Sequence, residues 1–201
     1  MKIAIMQPYF FPYLGYFKLM SEIDNFIILD DVQFTRRGWI NRNFIKNKHD
    51  EKIILTIPVN KNPINTKINQ MTVINGWTHK HVKTFSTIYG NTSKVKEFND
   101  FYITLDNNKN LVDVLTKSIM WIKNKIKLNC EISFSSQYKS NFSGEERIID
   151  LCKKSKADKY FNLPGGIHIY DEKKFEKNGI KIEFLNTDEC PKISIIDQIL
   201  K

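Results

Sequence analysis

The stretch KIAIMQPYFFPYLGYFKLMSEIDNFIILDD, from Lys2 to Asp31, decides the fold. Residues 2–6 (KIAIM) are a short apolar run of the kind that forms a buried central strand. Residues 7–15 carry two prolines, so they cannot be helical around Pro8 or Pro12 and read as an aromatic loop. From Gly15 to about Ile23, Phe17, Met20 and Ile23 recur on related helical faces. Asp24-Asn25 turns the chain, and residues 26–29 (FIIL) are a second, fully apolar strand. A strand, a loop, a helix and a second strand in so short a space make a βαβ unit, right-handed and with parallel strands. Ligands of such sheets sit at the carboxyl ends of the strands, which here run into residues 7–15 and 30–43.

The rest of the chain continues the alternation. Residues 52–59 (KIILTIPV) read as a strand, followed by a loop over 60–69. Residues 76–89 place Trp77, His81, Phe85 and Ile88 at three- and four-residue spacing, an amphipathic helix. The longest helical pattern runs from Asn107 to about Lys127, and residues 132–134 form a short strand. Ser143-Gly-Glu-Glu146 has the spacing of a capping box that opens a helix through about Ser155. Residues 160–163 are a strand running into the tight turn Pro164-Gly165-Gly166. Asp171 caps a helix ended by Asn178-Gly179, residues 180–185 are the last strand, and residues 193–200 form a final turn or two of helix. The expectation is an α/β fold in a single domain over 1–201: a Rossmann-like or HUP-like parallel sheet, a helical middle and a βαβ-like C-terminal part.

Composition narrows the function. With 41% hydrophobic and 26% charged residues, the 201-residue chain is neither a disordered tail nor a fibrous repeat. No apolar run reaches the ~18 residues of a membrane span, and the N-terminus does not read as a signal peptide. Cys130, Cys152 and Cys190 form no CxxC pair, which fits reduced thiols in the cytoplasm. The 31 Lys and Arg against 22 Asp and Glu give +9, but the lysines are scattered through KNKHDEK, WIKNKIK and LCKKSKADK as on a solvated surface. Without an RRM, KH or helix-turn-helix signature, nucleic acid is not the expected partner; the charge favours anionic small ligands.

Two loops carry the chemistry. In MQPYFFPYLGYF, four aromatics at a strand end, Tyr9 and Tyr13 among them, either pack or bind something, and Gly15 lets a phosphate approach a helix start. The position resembles that of the HxGH motif of nucleotidylyltransferases and pantothenate synthetase-like ligases, with both imidazoles replaced in Tyr13-Leu14-Gly15-Tyr16. In the second loop, Asp30 and Asp31 follow an apolar strand, and crowded carboxylates suit one of them to act as base or orienter. Arg36, Arg37 and Arg42 can grip phosphate or carboxylate, Asn41 and Asn43 suit sugar hydroxyls, and Gln33 and Trp39 complete the loop. The alternative is an acid–arginine network that only shapes the loop. The turn after Asn162, with Gly165 and Gly166, offers backbone amides that could cradle an anion. No histidine spacing suits a metal.

Taken in order, MQPYFFPYLGYF, DDVQFTRRGWINRN, the Trp-led helix with His81, GEERIIDLCKK, YFNLPGG followed by IYD, and the closing SIIDQIL resemble the WbqC-like family. That resemblance spans the chain. It implies a cytoplasmic protein of surface-polysaccharide (O-antigen) precursor synthesis, of which one member type is suggested to be a glycine transferase acting on an amino sugar. On this reading the partner is a nucleotide-linked amino sugar or other anionic small molecule. His81 or Asp31 takes the amine proton, the three arginines hold the anionic part, and Gln7 and Asn43 bind a carbonyl or sugar hydroxyls. The donor is an adenylate made from ATP or an acyl-carrier thioester; a non-catalytic sugar-nucleotide or glycan binding module is the alternative. Relatives carry a longer stretch between the last strand and the SIID segment and more residues after it; where that part covers the site, this chain is expected to be impaired or to depend on a partner.

Overall fold

The computed structural model describes all residues, Met1–Lys201. In chain order the first half holds β1 (Lys2–Met6), α1 (Leu14–Ser21), β2 (Asn25–Ile28), β3 (Arg42–Lys46), β4 (Lys52–Thr56), α2 (Thr78–Tyr89) and α3 (Ser93–Thr104). The second holds α4 (Leu111–Lys125), β5 (Glu131–Phe134), α5 (Gly144–Lys154), β6 (Lys159–Asn162), α6 (Glu172–Lys177), β7 (Lys181–Phe184) and α7 (Ile196–Leu200). The chain divides into two compact units: Met1–Gln7, Leu14–Asp31 and Ile126–Pro191 form the first, and Pro8–Tyr13, Val32–Lys125 and Lys192–Lys201 the second.

The first unit is the α/β part. Its five strands lie in the order β5-β2-β1-β6-β7, and every pairing is parallel. The order runs outward from β1 on one side and from β6 on the other, so the topology reverses between them, where parallel sheets leave a crevice. The central strands β1 and β2 are enclosed, while β5 at the edge has no fully buried residue. Ile3, Ala4, Phe26, Ile27 and Ile28 are wholly enclosed, which is why they read as continuous apolar runs. Ile3, Ile5 and Ile27 pack with Ile148, Leu151, Cys152, Tyr160, Phe175 and Ile182 in one core.

One of the two expected helix caps changes here. Ser143 is the N-cap of α5, but its hydroxyl makes no cap bond. Gly144 stands at φ +54°, outside the helical conformation a capping box needs at that position, and Glu146, the residue expected to reach back to Ser143, lies 3.9 Å from Lys174. Asp171, by contrast, caps α6 through the Lys173 amide at 3.0 Å.

The second unit joins a hairpin to helices. β3 pairs antiparallel with β4, Arg42 opposite Thr56 and Lys46 opposite Lys52. Helices α2, α3 and α4 close on an aromatic centre in which Phe10, Phe11, Phe85, Phe98 and Tyr102 are fully buried. Phe11 and Tyr102 stack at 5.7 Å, and Phe85 meets Tyr102 edge to face at 4.9 Å. No helix in either unit is long and apolar enough to cross a membrane.

Candidate functional site

Of the residues singled out from sequence, Gln7, Gly15, Asp30, Asp31, Asn162, Gly165 and Gly166 belong to the first unit. The two aspartates follow β2, and the segment after β5 takes up both. Asp30 is buried and accepts from Ser135 Oγ (3.1 Å), Ser136 Oγ (2.8 Å) and the Ser136 amide (3.0 Å). Asp31 is ion-paired with Arg147 of α5 and accepts from Ser135 Oγ as well. Both partners lie within the fold, so this carboxylate ties β2 to α5 and to the segment after β5.

In the turn after β6 one of the two glycine amides is already engaged. Residues Pro164–Gly166 form a single tight helical turn, and the Gly166 amide is spent on the Leu163 carbonyl at 2.9 Å. Gly166 also makes room for a side chain: a Cβ there would come within 2.6 Å of Asn162 Nδ2, so the amide would have to shift. Asn162 Oδ1 in turn accepts from the Leu163 amide at 2.7 Å. Gly15 lies buried in the first turn of α1. Tyr16 is a core residue against Phe17 and Phe26, its hydroxyl donating to the Gln7 carbonyl at 3.1 Å.

Tyr9, Tyr13, Gln33, Arg36, Arg37, Trp39, Asn41, Arg42, Asn43 and His81 belong to the second unit. Here Tyr9, Pro12, Tyr13, Trp39, Asn43, Phe44 and Lys192 enclose a cleft of about 270 Å³. Trp39 is 53% exposed, with the Arg42 guanidinium 5.3 Å from its ring and Phe44 at 6.0 Å. Lys192 Nζ stands 4.6 Å from the centre of Tyr13, and Lys52 Nζ the same distance from Phe44. Three cations over ring faces hold positive charge beside an apolar surface. Burial, with Tyr13 as a second cause, raises the Tyr9 phenol above its usual range, so it stays a neutral hydroxyl.

The polar residues of this loop mostly bind their own backbone. Arg42 Nε donates to the Gly38 carbonyl at 2.8 Å, and its terminal nitrogen to Arg37. Asn43 Nδ2 donates to the carbonyls of Phe10 (3.1 Å) and Phe11 (2.8 Å), and its oxygen accepts from the Phe44 amide at 2.9 Å. Asn41 bonds the Ile57 carbonyl at 2.8 Å and Gln33 that of Ile64 at 2.9 Å. These bonds run to backbone groups and not to Asp30 or Asp31, and the loop leaves Arg36, Arg37 and Trp39 exposed. Arg36, Arg37 and Asn41 line a separate cavity of the same unit.

His81 does not open on the cleft. It is 8% exposed, packed edge-on against Trp77 at 5.5 Å, with Nδ1 2.7 Å from the Tyr102 hydroxyl. Burial, helped by the Lys80 charge, pushes its pKa down to about 4, so the ring is neutral near pH 7.

Lys192, Phe44 and Pro12 join the cleft without having been singled out from sequence. Lys192 follows the first unit's last segment and has no spacing relation to Tyr13; only folding brings them together. Arg147 lies within GEERIIDLCKK, and a lone arginine on an exposed helical pattern gives no sign that its partner is Asp31.

The sequence matches the family model described as the WbqC-like protein family over residues 7–200. It is similar to an uncharacterized protein of Mycobacterium tuberculosis, 30% identical over 193 residues, covering 93% of this chain and 83% of the relative. No solved structure matches it significantly.

Proposed function

Because the chain belongs to the WbqC-like protein family, we propose that its aromatic cleft binds a nucleotide-linked amino sugar. In this reading the sugar is the acceptor of a glycyl or similar acyl group, in cytoplasmic synthesis of a surface-polysaccharide (O-antigen) precursor. Trp39 carries the reading: an indole 53% exposed, backed by Arg42, facing a space with Tyr9, Tyr13 and Lys192. An exposed indole gains from stacking on a ring, and the neighbouring cations suit the phosphate that follows it. About 270 Å³ accommodates one ring, a hexose or a base. The three buried, unbridged cysteines fit a reducing compartment. The acyl donor would be an ATP-derived adenylate or a thioester carrier.

A second reading, binding without turnover, is favoured by a specific observation. Asp31 is committed to Arg147, and His81 is enclosed and neutral, so neither acid–base candidate stands open.

Titrating UDP-glucosamine while following tryptophan fluorescence tests the cleft. The wild type should show saturable quenching, and Trp39→Ala should bind roughly tenfold or more weakly, as loss of one aromatic stacking contact does. Unchanged affinity in that variant refutes the site. Incubation with glycine and ATP then separates the readings: a mass gain of one glycyl group marks a transferase, and unchanged sugar nucleotide marks a binding module.

A further inference from the structure

The second cavity of the same unit, about 300 Å³, has a different chemistry. Arg36, Arg37 and Lys61 line it over a floor that includes Phe34, Val59 and Met71, and no carboxylate faces it. None of the three cations forms an ion pair anywhere in the chain. All three are exposed residues, and three like charges without an acidic partner around one space favour an anion there.

The walls are preformed. The Phe34 amide bonds the Thr66 carbonyl (2.9 Å), the Ile68 amide that of Val32 (2.9 Å), and Arg36 donates to Asn62. Arg37 stands at φ +61°, a left-handed conformation that strains a residue with a side chain and suits glycine. Arg42 pins it there through the carbonyls of Arg37 and Gly38. A cation held at a strained position on the wall of a cation-lined cavity is a built feature.

We propose that this cavity binds a phosphate ester carrying an apolar body, as the second substrate of the unit. The phosphate sits among Arg36, Arg37 and Lys61, and the apolar body lies on Phe34 and Met71. Two sources share that chemistry, a nucleoside monophosphate and a phosphopantetheine arm. The proposal rests on the reading above only in calling this ligand the second substrate.

Calorimetry on the full chain with AMP, 4′-phosphopantetheine and inorganic phosphate tests it. One organic phosphate should bind more tightly than phosphate alone, and which of them does so names the source. Lys61→Ala and Arg37→Gly should each weaken that binding roughly tenfold, the loss expected of a charge-assisted hydrogen bond. Arg37→Gly relieves the backbone and should melt no lower than the wild type, so a loss of binding there is not a loss of fold. Lys173→Ala, which removes an equal charge from α6, should change nothing. Absence of binding by every probe, or equal weakening by Lys173→Ala, overturns the proposal. Repeating the titrations in Trp39→Ala keeps the two sites apart: binding in this cavity survives that substitution, and binding lost with the indole belongs to the aromatic cleft and overturns the proposal.

Discussion

Asn43 spends both ends of its amide on backbone, holding the carbonyls of Phe10 and Phe11 and the amide of Phe44. Phe11 sits at φ +41°, and such a conformation in a large residue persists only where its surroundings over-determine it. Asn43→Ala should therefore cost about 1–3 kcal/mol in urea unfolding, because carbonyls are left unpaired in a half-buried site. A loss below a few tenths would show that Asn43 faces a ligand and not the chain. His81 gives a pH signature at the same scale. Its folded pKa, about 4, lies below the ordinary 6.5 because burial opposes the charge. Its contribution is thus whole above pH 6.5 and is lost as pH falls toward 4, amounting to about 3 kcal/mol at most. Between pH 7 and 4.5 the wild type should lose more stability than His81→Gln; equal losses would disprove this. That both residues are polar and sit beside aromatics is plain in the sequence. What they face is decided by the aromatic centre of the second unit, whose members come from residues 10 to 102.

At the scale of elements, the link between β2, β5 and α5 deserves a measurement. Asp30 and Asp31 leave β2 and are met by Ser135 and Ser136 after β5 and by Arg147 of α5. The side chains of Asp31 and Arg147 are 16% and 14% exposed, so the pair is largely desolvated. Removing one partner strands the other; Asp31→Ala and Arg147→Ala should each cost about 2–4 kcal/mol, toward the lower part of the range for buried pairs. The double variant should cost less than their sum by about 1 kcal/mol or more. Additive losses would mean that the pair does not couple the elements. β1, α1 and β2 were legible because enclosed strands read as unbroken apolar runs. β3 was not, since RNFIK places two buried residues, Phe44 and Ile45, side by side between polar ones and breaks the alternation of a strand. α3 is hard to read from sequence although Val95, Phe98 and Tyr102 recur at helical spacing on its buried face, and Thr92 caps it through the Val95 amide. Its charged and polar remainder hid the pattern.

For the molecule as a whole, the chain passes between the two units at 7/8, 13/14, 31/32, 125/126 and 191/192, so each unit is assembled from separated segments. Neither can complete itself from a continuous length of chain, and both are therefore expected to unfold in one cooperative transition. The residues supply a probe for each. Trp39, Trp77 and Trp121 all lie in the second unit, and Cys130, Cys152 and Cys190 all in the first. The thiols are buried, and burial pushes that of Cys152 up to about 12, so a disulfide reagent at pH 8 should find none in the folded chain. With rising urea, tryptophan emission and the thiols exposed to a short pulse of reagent should change at the same midpoint. Two separated midpoints would show the units to be independent domains, and the single-domain expectation drawn from chain length would fall with them.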